Sequence, residues 1–182
     1  MGSSLLRYKE QIVLVLKDDA TGKILKRLEI GPNIVTNSGD KYYAQRGAAE
    51  TPTRMYSAGM MVIAKSFKRA ATKVATFGDF VGLTTTYTGR QLFDAGYPKT
   101  NDSDTDNTGR TVDAVTYKRT YTTAQANYTI KAVGISQLNA TTAAAAGTRE
   151  LASYKTLSSA QQVVKTSSQT LTAYINHTFN GV

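Results

Sequence analysis

Cysteine and tryptophan are absent from the 182 residues, histidine occurs once and proline three times. Without cysteine there is neither a disulfide framework nor a thiolate metal site. With His177 as the single histidine, no histidine-pair zinc motif can form. No H-E-x-x-H, P-loop, G-x-G-x-x-G or G-x-S-x-G pattern occurs, so the common metalloprotease, nucleotide and hydrolase signatures are missing. The glutamates Glu10, Glu29, Glu50 and Glu150 are far apart, and paired-carboxylate hydrolysis would have to draw on loop aspartates. These absences predict a non-enzyme with no catalytic residues. No apolar run approaches the ~18 residues of a membrane-crossing helix. The first apolar run, Ile12 to Leu16, is too short for a signal peptide, which predicts synthesis in the cytoplasm.

The chain does contain 27 threonines and 11 tyrosines. Both types pack well on a pleated surface, which favours strands over helices. The length suits a single β domain over 1–182, with an N-terminal arm at 1–6 and an exposed acidic loop at 99–110. Net charge is +9, and the largest excess lies in 51–99, with seven basic and two acidic residues. Such a balance fits nucleic acid, an acidic protein surface or plain solvation.

Ile12-Val13-Leu14-Val15-Leu16 reads as a buried strand. The turn cluster Asp18-Asp19-Ala20-Thr21-Gly22 and the alternating Arg27-Leu28-Glu29-Ile30 complete a hairpin. Gly31-Pro32-Asn33 ends it, and Thr36 to Asp40 leads into a short helix over 38–49 with Tyr42, Tyr43 and Ala44 inward. Met60 to Ile63, Thr84 to Thr88, Thr111 to Thr122, Tyr128 to Ile135 and Thr170 to Phe179 are further strand candidates, and Leu151 to Val164 is mixed. About eight strands with one or two short helices predict a mainly β fold, either an antiparallel β-sandwich or a jelly-roll-like barrel.

Three segments bear on chemistry. Lys65, Lys68, Arg69 and Lys73 surround Phe67, a pattern suited to phosphates plus one stacked base, to an acidic partner protein, or to solvent. Asp102, Asp104 and Asp106, with Asp113 at the twelfth position, resemble a calcium loop. Asn107 replaces the turn glycine and Asp113 the bidentate glutamate, and a solvated loop capped by Asx turns fits the same residues. Tyr87, Tyr97 and Tyr117 would suit a sugar platform. His177 reads as a strand-surface residue. The Gln169–Phe179 tail reads either as a core strand or as one that pairs with a neighbouring subunit.

Gly31-Pro32-Asn33-Ile34-Val35-Thr36-Asn37-Ser38-Gly39 resembles the N-x-V-T-N-x-G element of small structural proteins of tailed-bacteriophage virions. Tyr128 to Ser136 resembles their aromatic-Thr-Ile…Gly-Ile strand, and Thr170 to Ile175 their closing strand. The resemblance implies a β-sandwich in a virion capsid, neck or tail, present as a homo-oligomer in contact with other virion proteins. It implies no cofactor and no catalytic motif, and the basic segment lies outside it. The alternatives are a nucleic-acid-binding module and a carbohydrate- or receptor-binding sandwich.

Overall fold

The computed structural model describes residues 7–48, 59–83, 89–100, 114–136 and 151–180. Two five-stranded antiparallel sheets form a β-sandwich with one α-helix. The first sheet runs in the order β2 (Ile24–Ile30), β1 (Arg7–Asp18), β14 (Gln169–Asn180), β9 (Ala114–Tyr121), β8 (Lys99–Thr100). The second runs β3 (Ile34–Val35), β12 (Leu151–Thr156), β11 (Ala132–Ser136), β4 (Met60–Ala64), β7 (Arg90–Leu92). Two small ladders pair β5 (Ser66–Phe67) with β6 (Phe80–Val81), and β10 (Thr129–Ile130) with β13 (Val163–Val164). Both main sheets stay open, so the sandwich holds and the barrel alternative does not.

Alternation decides which side chains meet between the sheets. Ile12, Leu14 and Leu16 of β1, Leu171, Ala173 and Ile175 of β14, and Tyr117 and Tyr121 of β9 supply one inner face. Met61 and Ile63 of β4 and Val133 and Ile135 of β11 supply the other. Val13 and Val15 point the opposite way and are buried with Tyr174 on the far face of the first sheet. An apolar run of β-branched residues without polar alternation is what a strand buried on both faces requires.

The first hairpin turns on its own side chains. Asp18 accepts from the Thr21 N–H and hydroxyl at 2.9 and 2.7 Å. Those bonds, the Thr21 hydroxyl first, hold its carboxyl below the usual aspartate range. Gly22 adopts φ +68°, where a Cβ would be strained.

Helix α1 (Asn37–Gly47) starts at the N-cap Thr36, whose hydroxyl accepts from Gly39 N at 3.1 Å. The same hydroxyl donates to the carbonyl of Leu151, and Thr36 N donates to Ala152 O at 3.0 Å, which docks the helix start onto β12. Tyr42 is buried and Tyr43 half-buried, but Ala44 faces solvent, contrary to the sequence expectation. A helical turn places Ala44 on the opposite side from the docked start, and an alanine there costs nothing.

The expected strand over Tyr128 to Ile135 is split at Lys131. Lys131 N donates to Ala64 O, while its carbonyl accepts from Leu157 N. Ile130 therefore pairs with β13 and Ala132 with β12. The expected strand at 84–88 and the calcium loop Asp102, Asp104, Asp106, Asp113 lie outside the described residues, as does most of the expected acidic loop. Its first two residues, Lys99 and Thr100, form β8.

Candidate functional site

The segment 65–83 lies across the outer face of the second sheet. Phe67, Ala75, Phe77, Phe80 and Leu83 pack there against Met60, Val62, Ala64, Ala132, Leu151 and Tyr154. Phe67 stacks on Tyr154 with centroids 4.3 Å apart and meets Phe80 edge-on at 4.9 Å. Tyr154 in turn holds Thr72, accepting from its N–H at 2.8 Å and donating to its carbonyl at 3.0 Å. The aromatic that a base would have to stack on is thus engaged in packing.

The four cations of this segment separate into two kinds. Lys65, Lys68, Arg69 and Lys73 are all exposed. Arg69 Nε donates to Asp79 Oδ1 at 2.8 Å, and Lys73 bonds Asp40 of α1 at 2.5 Å. Burial raises the Asp79 pKa, but bonds from the Thr76 N–H, Arg69 and the Thr76 hydroxyl outweigh it, leaving the carboxyl below its ordinary range. Lys65 lies 5.5 Å over the Tyr128 ring, and neither it nor Lys68 has a carboxylate partner among the described residues. Half of the sequence-predicted cationic charge therefore ties the segment to its own fold, and half faces outward.

His177 is not on the surface; it is 1% exposed, on the inner face at the end of the sandwich. Its Nδ1 bonds the Tyr43 hydroxyl, which also bonds the Tyr117 hydroxyl at 3.2 Å. Tyr117 meets Phe93 at 5.2 Å and the His177 ring at 5.3 Å. This cluster fastens α1 to the first sheet. Tyr117 is buried in it and cannot serve a sugar platform. Tyr97 lies under the ammonium groups of Lys99 and Lys118 at 4.8 and 5.4 Å, and Tyr87 lies outside the described residues. Among the described residues no group of three or more acids or histidines is placed to hold a metal ion. No helix among them is long and apolar enough to cross a membrane.

Sheet edges are the remaining reactive feature, because an edge carries unpaired N–H and C=O groups. β14 is not one: β1 covers one side and β9 the other over most of its length. The expectation that the C-terminal strand pairs with a neighbour therefore fails, and the core-strand alternative holds. Among the described residues the sheet edges are β2, β8, β3 and β7, and β2 is the longest at seven residues. Ile24 and Leu25 at its start are each 47% exposed. Lys26 Nζ bonds Gln162 O at 2.9 Å, tying the edge to the segment that carries exposed Val164. Charges on Lys26, Arg27 and Glu29 were the sequence signal for an edge, since edge strands carry charge where central strands do not.

No family model, no curated protein and no solved structure matches this chain.

Proposed function

We propose that the protein is a non-enzymatic structural component of a virion that works by self-association and by docking onto other virion proteins. The observation that carries this reading is the β2 edge: a seven-residue strand that ends the first sheet among the described residues and starts with two half-exposed apolar side chains. His177, Tyr43 and Tyr117 fasten the helix, Asp79 holds Arg69, and Tyr121 and Tyr128 donate to backbone carbonyls. The three segments that resemble phage structural proteins occupy the β3–α1 junction, β10 with β11, and β14. Lys65 and Lys68 supply outward charge that would steer docking to an acidic surface.

Sedimentation of the purified protein, alone and with virion particles, tests the reading. An oligomer, or salt-sensitive capture by the particle, is expected. A monomer with no affinity for any virion component would falsify it.

A further inference from the structure

We propose that Lys165 and Asn127 are the two partners of an intramolecular amide cross-link, closed by attack of the lysine amine on the asparagine carboxamide with release of ammonia. A chain without cysteine has no disulfide to fasten it, and this bond would serve in that place.

The β10–β13 ladder brings the two residues together. Thr129 pairs with Val164, and Lys165 N donates to Tyr128 O at 3.2 Å, so the end of the ladder sets Lys165 beside Asn127. The turn before Asn127 is strained. Ala126 is fully buried yet adopts φ +53°, a left-handed conformation unusual for a residue with a Cβ. Strain of this kind persists where the surrounding structure uses it to position a group. Here it delivers the Asn127 carboxamide. Its Nδ2 donates to Thr123 O and its Oδ1 accepts from Lys165 Nζ, both at 2.8 Å.

The surroundings of the amine suit its neutral form. Lys165 is 1% exposed. Its Nζ donates to Asn127 Oδ1 and, at 3.3 Å, to Thr166 O. Both acceptors are uncharged, and no carboxylate among the described residues forms an ion pair with it. An ammonium has three N–H donors and no lone pair, whereas a neutral amine has two donors and one lone pair. Two bonds to uncharged oxygens match the neutral amine. Burial lowers the pKa of this lysine against the opposing field of Asp19, in the β1–β2 turn. A desolvated lysine with its lone pair available is a nucleophile.

The step balances without a further reactant. The Nζ lone pair forms a bond to Asn127 Cγ, and negative charge passes to Oδ1. The Cγ–Nδ2 bond then breaks, Nδ2 takes one proton from Nζ, and ammonia leaves. The other N–H stays on the new amide. A turn of the carboxamide about its soft terminal torsion brings Cγ to the amine. Holding the two groups in contact supplies an effective concentration far above any reached in solution. The bond would tie the turn before β10 to the end of β13, 38 positions apart in sequence.

Intact mass and peptide mapping of the full chain, incubated at neutral and at alkaline pH, test the cross-link. The wild type should lose about 17 Da, the mass of ammonia, and should lose it faster in alkali, where more of the amine is neutral. Trypsin should then release residues 120–131 joined to residues 156–182 through an uncleaved Lys165. Linked protein should melt several degrees above unlinked protein. Lys165→Met keeps an apolar stem in the buried site and should abolish the loss. If that variant does not fold, the wild-type peptide map decides alone.

A wild type that keeps its full mass through prolonged alkaline incubation overturns the proposal. A loss that persists in Lys165→Met, or that leaves the two peptides separate, belongs to a succinimide at an asparagine and overturns it as well.

Discussion

Replacing Gly39 with alanine probes the seating of α1. Gly39 is the third residue of the helix, directly over β12. A Cβ built there would come 2.2 Å from Ala152 O and 2.9 Å from Val35 Cγ1. The nearer atom belongs to the backbone of a paired strand and cannot swing aside. The helix start must then lift by ~1 Å to reach ordinary contact. That movement stretches the Thr36 bonds to Leu151 and Ala152, both buried. Overpacking of this kind costs about 1–3 kcal/mol, and lost capping adds about 1. Against this, alanine gains up to ~1 kcal/mol of helix propensity over glycine. The balance is a loss of about 2 kcal/mol, or roughly 4–8 °C in Tm for a chain of this size. Gly22→Ala is the control: nothing lies within 4 Å of its Cβ, so only the φ +68° strain acts, costing about 1 kcal/mol. Thermal and urea unfolding of both variants give the answer. A Gly39→Ala protein as stable as the wild type would show that the helix does not sit on β12 in this way.

Three further outcomes are expected. Asp79→Asn should destabilise the protein by about 2 kcal/mol at pH 6 through loss of its charge-assisted bonds. Because the folded pKa of Asp79 is depressed, that contribution is full above the unfolded value near ~4 and is lost as pH falls through the folded one. The Tm gap between variant and wild type should therefore close in acid. Burial pushes the Tyr128 hydroxyl, a donor to Ile63 O at 2.8 Å, well above the usual range. Its stabilisation is full below ~10 and lost as pH rises through the folded pKa. Burial pushes the Tyr121 hydroxyl up as well, so ultraviolet titration should show both tyrosines ionising only with unfolding, and Tyr128→Phe should reduce that signal without abolishing it. Lys65→Glu with Lys68→Glu should leave Tm nearly unchanged, lower particle binding at low salt and flatten its salt dependence.

The elements that alternation dictates were legible in the sequence. β1, β2, β4, β9 and β14 follow from period-two patterning or short apolar runs, and α1 from Thr36 and the glycine-bounded stretch before it. What escaped depended on distant partners. His177 resembles a surface residue within its own strand. It is buried because Tyr43, 134 residues earlier in the chain, reaches it from α1. Phe67 looks like part of a basic binding segment until Tyr154, 87 positions later, stacks on it. Arg69 and Lys73 lose their outward role to Asp79 and Asp40 for the same reason. The two-residue strands β3, β5, β6, β8, β10 and β13 carry no period, so only tertiary pairing defines them. The β2 edge was half legible: its charges and its closing Gly31-Pro32 were visible, but its place at the end of the sheet among the described residues is a matter of strand order.

Self-association is tested most directly by mass from light scattering over a concentration series in low and high salt. A species heavier than one chain of 19.7 kDa is expected, and its share should rise with concentration. A mass of one chain at every concentration and salt would contradict it.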